Sequence, residues 1–260
     1  MTEGDMANRV AIVTGGGTGI GAAVCVALAR RGARVLVNYS RSAEDAEKVA
    51  EACRETGAEA FALKADIRDN EEAGRLATAA VQTWGRIDML VNNAGKTKFA
   101  EHRDLEALVA EDFVDIYRLN VVGAFQVTRA CVPALKRSDA ASVVNVASVA
   151  GVFGHGSSVA YAASKGALIT MTKSLARALA PEIRVNAVNP GYVATRWWRS
   201  RLGDLEFEKL NSRVAAAAPL RKAPAGEDIA DAILMFLDPA TRMVTGETLL
   251  VDAGQHLVVR

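Results

Sequence analysis

Seven short runs of β-branched and other apolar residues alternate with longer segments of helical periodicity along this chain of 260 residues. Most runs are apolar at consecutive positions, which is typical of strands covered on both faces. This alternation predicts an α/β fold, a doubly wound parallel sheet with helices on both sides. The predicted strands are 9–15, 34–39, 60–67, 87–93, 142–148, 184–190 and 247–254. The predicted helices are 19–31, 42–56, 70–84, 111–137, 158–180 and 226–237.

One segment, about 195–224, is too long for an ordinary connection between a strand and a helix. Its apolar residues are sufficient for one or two helices, and we predict a helical lid over the substrate; the alternative is an additional packed helix pair. Those residues are Trp197, Trp198, Leu202, Leu205, Phe207 and Leu210. No linker, repeat or low-complexity segment divides the chain, so residues 1–260 are predicted to form a single domain.

Composition argues against several classes of protein. With 31 basic and 30 acidic residues the net charge is +1, which provides no bulk field for nucleic acid or a membrane surface. The three cysteines Cys25, Cys53 and Cys131 are widely spaced, so we predict buried reduced thiols rather than disulfides or a metal site. The first residues lack the apolar run of a signal peptide, and no segment approaches eighteen consecutive apolar residues. We therefore expect a soluble, cytoplasmic protein.

The first predicted strand is followed by the glycine-rich stretch TGGGTGIG at 14–21. Glycines let the backbone turn sharply and let a pyrophosphate lie against the N-terminus of the next helix, where free N–H groups favour anions. Since the stretch follows a strand and begins a helix, it predicts a dinucleotide site rather than a flexible turn. The candidate contacts are Gly15, Gly17, Thr18, Gly19, Ile20 and Gly21.

The end of the second strand indicates which dinucleotide is bound. NAD-binding proteins usually have a carboxylate there for the ribose hydroxyls, but this chain has Tyr39, followed by Ser40 and Arg41. A hydroxyl and a guanidinium can bind a 2′-phosphate, so the sequence favours NADP(H) over NAD(H), unless Arg41 merely flanks the next helix. Asp66, followed by Ile67, is a candidate acceptor for the adenine amino group or an N-cap for the helix near 70.

The stretch YAASKG places a phenol and an ammonium four residues apart, so Tyr161 and Lys165 share one face of a helix. A nearby ammonium favours the phenolate and would lower the pKa of Tyr161, which makes it a candidate proton donor. Ser148 follows the fifth strand, at the sheet edge where this architecture places its sites. The three groups can therefore meet at one carbonyl oxygen. The alternative is a Tyr and a Lys on a solvent-facing helix surface.

In this order, the motifs closely resemble those of the Tyr-x-x-x-Lys group of short-chain dehydrogenases/reductases, over about 9–254. The resemblance implies a Rossmann-type sheet of seven strands and a catalytic tetrad of Asn120, Ser148, Tyr161 and Lys165. It implies that Tyr161 and Lys165 also contact the cofactor. Further cofactor contacts implied by the NNAG and NPG motifs are Asn93, Ala94, Gly95, Pro190, Gly191, Val193 and Thr195.

The resemblance also implies a mechanism. NADPH gives a hydride to a carbonyl carbon, Tyr161 protonates the oxygen, and Lys165 lowers the pKa of Tyr161 and binds the nicotinamide ribose. Ser148 polarises the carbonyl, and Asn120 orders a water relay. The pattern is most similar to 3-oxoacyl-acyl-carrier-protein reductases, which implies a 3-oxoacyl thioester linked to a carrier or to CoA. The alternatives are an alcohol or sugar dehydrogenase working oxidatively and a non-catalytic dinucleotide sensor.

Substrate contacts are expected from residues that follow the strand ends. The candidates are Lys96, Phe153, His155, Tyr192, Trp197 and Trp198. The aromatic members indicate an apolar or planar substrate face. A basic rim for an anionic substrate or an acidic carrier is a further hypothesis, with a solvated charged face as the alternative. Its members are Lys96, Lys98, Arg103, Arg196, Arg199 and Arg201. The resemblance implies a homotetramer or homodimer packed through helices 111–137 and 158–180.

Overall fold

All seven predicted strands lie in one parallel sheet in the computed structural model, which describes residues 6–258. The strands are β1 (Val10–Val13), β2 (Arg34–Tyr39), β3 (Ala60–Lys64), β4 (Met89–Asn92), β5 (Ala141–Val146), β6 (Ile183–Pro190) and β7 (Thr248–Val251). Their order is β3-β2-β1-β4-β5-β6-β7, and every neighbouring pair is parallel. The strands β2 and β3 therefore extend the sheet on one side of β1, and β4 to β7 extend it on the other side of β1. A crevice forms at such a reversal, beyond the carboxyl ends of the strands.

Helices cover both faces of the sheet, as predicted. They are α1 (Gly19–Arg30), α2 (Ala43–Arg54), α3 (Asn70–Trp84), α4 (Ala110–Tyr117), α5 (Ala124–Leu135), α6 (Val149–Phe153), α7 (Val159–Leu179), α8 (Arg196–Ala217) and α9 (Gly226–Leu237). One core layer lies between the sheet and α1, α2 and α9, and the other between the sheet and α3, α5 and α7. In β1, Ala11 and Val13 face the first layer while Val10 and Ile12 face the second. This burial on both faces explains the consecutive apolar residues of the strands.

The predicted helix 111–137 is helical over 110–135, but its middle is not α-helical. It is divided into α4 and α5 by a π-helical turn at Arg118–Gly123. Gly123 packs so closely on Ile67 that an added Cβ would lie 2.8 Å from the Ile67 Cγ1 atom. The wider turn also directs the amide of Asn120 towards the loop after β4. Such π turns interrupt helices most often at functional sites.

Several other boundaries differ from the prediction: β1, β3 and β5 end at Val13, Lys64 and Val146 rather than at 15, 67 and 148. The short helix α6 was not predicted; Ser148 caps it by accepting a hydrogen bond from the Ala150 N–H at 3.1 Å. The last strand ends at Val251 rather than 254, because the Asp252 carboxylate accepts the N–H groups of Gly254 and His256 and turns the chain.

The segment predicted as a lid forms α8, which consists of two helical segments separated at Gly203, where φ is 74° and ψ is 165°. The three cysteines are buried free thiols, as predicted. Over residues 6–258, no helix is long and apolar enough to cross a membrane.

Candidate active site

A cavity of about 790 Å³ opens at the carboxyl ends of the central strands, beside the first turns of α1 and α8. Except for Gly21, every residue predicted to contact the cofactor lines it. Those residues are Gly15, Gly17, Thr18, Gly19, Ile20, Tyr39, Ser40, Arg41, Asp66, Ile67, Asn93, Ala94, Gly95, Tyr161, Lys165, Pro190, Gly191, Val193 and Thr195. The cavity is of the size that proteins use for cofactors and small substrates.

The glycine loop between β1 and α1 needs its glycines for two different reasons. Gly15 and Gly19 have φ of +61° and +56°, which strains residues that carry a Cβ atom. Gly21 lies behind the cavity wall, and an added Cβ there would be 2.3 Å from the Gly15 carbonyl oxygen. Thr18 precedes α1 without a side-chain hydrogen bond to the helix, so the first N–H groups of α1 remain open to an anion.

The far end of the cavity carries the charged groups of the predicted adenosine site. Arg41 is exposed and forms no ion pair within residues 6–258. Asp66 is clamped by Arg68, whose Nη2 atom lies 2.6 Å from the carboxylate and holds the pKa of Asp66 below its usual value. The alternative of Asp66 as a helix cap is wrong, since Asp69 caps α3 by accepting the N–H groups of Glu71 and Glu72.

The predicted proton donor lies at the start of α7. Ser158 begins that helix by accepting the N–H of Tyr161 at 3.2 Å. The side chains of Ser148, Tyr161 and Lys165 all reach the cavity wall, and Ser148 hydrogen-bonds Tyr161. The Lys165 Nζ atom donates to the Val146 carbonyl oxygen at 2.7 Å and lies 5.7 Å from the centre of the Tyr161 ring.

Burial dominates the ionisation of this pair. It raises the pKa of Tyr161 to about 12, although the hydrogen bond with Ser148 acts in the opposite direction. It lowers the pKa of Lys165 to about 8. A net lowering of the Tyr161 pKa is therefore not found in this arrangement, and the effect of Lys165 on it stays a prediction. Burial shifts the two pKa values in opposite directions because desolvation disfavours the charged form of each group.

Asn120 does not itself line the cavity; its side chain lies behind the wall and is 1% exposed. Its Oδ1 atom accepts the Lys96 N–H at 2.9 Å, and its Nδ2 group donates to the Lys96 carbonyl at 3.0 Å and to Ser164 Oγ at 3.0 Å. Asn120 thus joins the loop after β4 to the turn of α7 that carries Lys165. The water relay assigned to it stays a prediction.

Five of the six predicted substrate residues line the cavity. They are Lys96, His155, Tyr192, Trp197 and Trp198. Phe153 does not; it is 48% exposed, and its ring stacks between His155 and His256 with centres 6.0 and 6.2 Å away. Phe153 is therefore not placed to contact a substrate directly. It packs against His155, which does line the cavity.

Most of the predicted basic rim is neutralised by carboxylates. Lys96 pairs with Asp115, and the remaining ion pairs are Lys98–Asp112, Arg196–Asp45 and Arg199–Asp204, at 2.7, 2.8 and 3.1 Å. Arg201 instead stacks over the ring of Phe99. Four of the six residues of the hypothetical rim are therefore paired with acidic side chains and are not available to an anionic partner.

Among the cavity residues that were missed from the sequence are Arg68 and Gln255. Arg68 lies two residues after Asp66, and that spacing was the available signal. Gln255 follows the turn after β7 and belongs to no motif, so only the folded chain brings it to the wall.

The residues present fit a nicotinamide dinucleotide. Open N–H groups at the start of α1 suit a pyrophosphate, and Arg41 adds an available cation at the adenosine end. Gly95 lies beside Lys165, and a Cβ atom added there would be 3.6 Å from the Lys165 Nζ atom, an ordinary contact distance.

Comparisons with known proteins identify the family of this chain. The family model for short chain dehydrogenases matches residues 9–205. The chain is 43% identical over 249 residues to the protein named ketoacyl reductase 2 of the granaticin polyketide synthase of Streptomyces violaceoruber, covering 96% of each chain. It is 31% identical over 251 residues to a 3-oxoacyl-[acyl-carrier-protein] reductase of Staphylococcus epidermidis, covering 96% of this chain and all of the relative.

A solved structure extends the agreement to the whole fold. The crystal structure of a short-chain dehydrogenase/reductase from Burkholderia xenovorans superposes with a TM-score of 0.87 at 36% identity, over 96% of this chain and 98% of that one. The family model, matched over 9–205, includes both the glycine loop and the helix that carries Tyr161 and Lys165. This chain therefore belongs to the short-chain dehydrogenase family, and it is an NAD(P)-dependent oxidoreductase that acts on a carbonyl or alcohol group.

Proposed function

We propose that the protein reduces the ketone of a 3-oxoacyl thioester with NADPH, using Tyr161 as the general acid. The observation that carries the proposal is the meeting of the Ser148 and Tyr161 hydroxyls on the wall of the cavity that the glycine loop borders. Two hydroxyl donors at one point suit a single carbonyl oxygen. The relatives named as ketoacyl and 3-oxoacyl-carrier-protein reductases support this substrate class, linked either to a carrier protein or to CoA.

The cofactor is assigned to residues along the cavity. The amides of the glycine loop hold the pyrophosphate, Ser40 and Arg41 hold the 2′-phosphate, and Lys165 binds the nicotinamide ribose. The bound cofactor supplies the hydride. Arg41 favours NADPH because its guanidinium is exposed and, although it helps to lower the pKa of Asp66, forms no salt bridge within residues 6–258.

The proton comes from the Tyr161 hydroxyl, which is fully protonated at neutral pH because its pKa is about 12. Ser148 donates a second hydrogen bond to the same oxygen. As the phenol gives up its proton, Lys165 compensates the phenolate charge. With a pKa of about 8, Lys165 is still mostly an ammonium at neutral pH.

The first test replaces Tyr161 with Phe, which removes only the hydroxyl. We expect kcat to fall by at least about 100-fold, the usual share of a positioned general acid. NADPH binding, followed by fluorescence titration, should remain unchanged. Activity is measured as loss of nicotinamide absorbance with an acetoacetyl thioester, a diketone, a quinone and a keto-sugar.

Full turnover in the variant would contradict the assignment. Turnover of alcohols alone, with NADP⁺, would favour the oxidative dehydrogenase.

The cofactor preference is tested with Arg41→Gln. We expect the ratio of kcat/KM for NADPH to that for NADH to fall about tenfold, the loss of one charge-assisted phosphate contact. Arg30→Gln is the matched control, because Arg30 is an exposed arginine at the opposite end of α1. An unchanged ratio in Arg41→Gln would reject the 2′-phosphate site.

We also propose that the chain acts as one domain, with α8 as the lid, and assembles as a homotetramer or homodimer. The support for assembly is an apolar surface on α4, the π-helical turn and α5. Its exposed members are Phe113, Val114, Tyr117, Val122 and Phe125. Light scattering should give two or four times the chain mass of 27.5 kDa; a monomer at micromolar concentration would reject assembly.

A further inference from the structure

A second, smaller cleft of about 320 Å³ lies next to the catalytic cavity, and the two share Trp198 as a wall. Leu202 and Leu210 of α8 and Phe99 of the loop after β4 complete its apolar surface. Its charged members are Arg201, Arg213 and Glu206. The cleft is therefore amphipathic and adjoins the site of reaction.

An unbroken aromatic wall joins the two spaces. The ring of Tyr192 in the catalytic cavity contacts Trp198 with centres 5.6 Å apart, and Trp198 meets Phe99 edge-on at 5.7 Å. The Arg201 guanidinium carbon lies 3.6 Å from the centre of the Phe99 ring. Stacking of this kind holds the guanidinium plane while its N–H edges stay available for an anion.

The charge of the cleft is not neutralised. Arg201 and Arg213 have no carboxylate partner in the described part of the chain, whereas the neighbouring Arg196 and Arg199 each have one. Glu206 is paired with Lys209 at 2.8 Å, so its carboxylate is already compensated. Two arginines thus remain for an external anion at the mouth of the apolar cleft.

We propose that this cleft binds the phosphate-bearing end of the substrate's flexible thioester arm, while the ketone lies beside Tyr161. This inference rests on the proposed function for the identity of the arm. The apolar surface suits the alkyl and amide part of a pantetheine chain, and the two guanidiniums suit its terminal phosphate. CoA and a carrier protein present the same phosphopantetheine chemistry.

The kinetic test compares wild type with the double variant Arg201→Gln/Arg213→Gln at saturating NADPH. With acetoacetyl-CoA we expect KM to rise about tenfold, from two partly exposed ion pairs, and its dependence on salt to weaken. With the uncharged acetoacetyl N-acetylcysteamine thioester, KM and kcat should stay the same, which shows that α8 is intact. Arg242→Gln is the matched control, since Arg242 is exposed and precedes the amino end of β7, whereas the cleft is formed by segments that follow the carboxyl ends of β4 and β6.

A binding test separates this inference from the proposed function. Calorimetry measures the binding of 4′-phosphopantetheine and of unphosphorylated pantetheine to the enzyme. The enzyme is first saturated with NADP⁺, which occupies the other phosphate site. Tighter binding of the phosphorylated probe by wild type, with no such preference in the double variant, supports the cleft. This conclusion holds even where no thioester is reduced, because in that case only the proposed function fails. Equal binding of both probes by wild type, or an unchanged KM for acetoacetyl-CoA in the double variant, overturns it. A KM effect with acetoacetyl-carrier protein as well as with CoA assigns both sources to the cleft.

Discussion

Two helices that line the same cavity differ sharply in how they are held. The helix α7, which carries Tyr161 and Lys165, buries seven of its 21 residues, whereas α8 buries only Phe207 among its 22. Within residues 6–258, α8 is connected to the rest of the fold mainly by the Arg196–Asp45 ion pair, a hydrogen bond from Tyr192 to Asn211 and aromatic contacts through Trp198. Exposed ion pairs of this type contribute little stability.

The difference in burial indicates that the two helices have different roles. The reacting groups need fixed positions, which dense packing supplies. A helix that admits and releases substrate needs contacts that can break, and low burial provides them. The two sides of the cavity should consequently respond very differently to substitution.

The largest effect is expected on the packed side, for Gly21→Ala. The new Cβ would lie 2.3 Å from the Gly15 carbonyl oxygen and 2.5 Å from Asn93 Nδ2, so the glycine loop must move. We expect a loss of about 3 kcal/mol in the free energy of unfolding, together with weaker cofactor binding. Denaturant unfolding and NADPH titration measure both.

Gly74→Ala in α3 is the matched control, because nothing lies within 4 Å of the position of its added Cβ. Its stability should stay the same or rise by up to about 1 kcal/mol through the better helix propensity of Ala. Equal stability of the two variants would show that the glycine loop is as adaptable as the surface.

An intermediate effect is expected for Lys165→Met, and it depends on pH. The folded pKa of Lys165, about 8, lies below its ordinary value of 10.5, so the unfolded chain binds more protons between these two values. The stability of the wild type should therefore rise with pH across this window. Below pH 8 the burial cost of the ammonium is fully present, and we expect the variant to gain up to about 3 kcal/mol relative to wild type there. The gain should shrink as the pH approaches 10.5.

Lys173→Met serves as the control, since Lys173 is exposed on the same helix. Urea unfolding from pH 7 to 10.5 gives the difference for each variant. A difference for Lys165→Met that does not change with pH would mean that the ammonium is not destabilised by burial.

The smallest effect is expected on the α8 side, for Asp45→Asn. This removes the carboxylate that Arg196 contacts through Nη1 at 3.1 Å and Nη2 at 2.8 Å. Because the pair is exposed, the global stability should change by less than about 1 kcal/mol. Hydrogen exchange at the start of α8 should nevertheless become faster, and the effect should disappear in high salt. Glu44→Gln, which disturbs only a pair within α2, is the control. Unchanged exchange in Asp45→Asn would show that the other contacts of α8 are sufficient to hold its first turn without this ion pair.

The sequence was sufficient for features that depend on local pattern. The seven strands, the glycine loop and the spacing from Tyr161 to Lys165 were all predictable because each depends on backbone geometry over a few residues. Burial on both faces of a strand requires consecutive apolar residues, and a position without room for a Cβ atom requires glycine. Both features can therefore be read from the residue types. The fold and the family followed from these motifs.

Other features required the tertiary structure, since they depend on groups that are distant in sequence. The predicted basic rim failed because Asp45 and Asp115 approach from other helices, and Gln255 reached the cavity only through the turn after β7. The π-helical turn at Asn120 follows from close packing against Ile67. The pKa of Tyr161 was misjudged for the same reason: spacing gives the neighbouring charge, but the cost of desolvation is set by everything that the folded chain places around it.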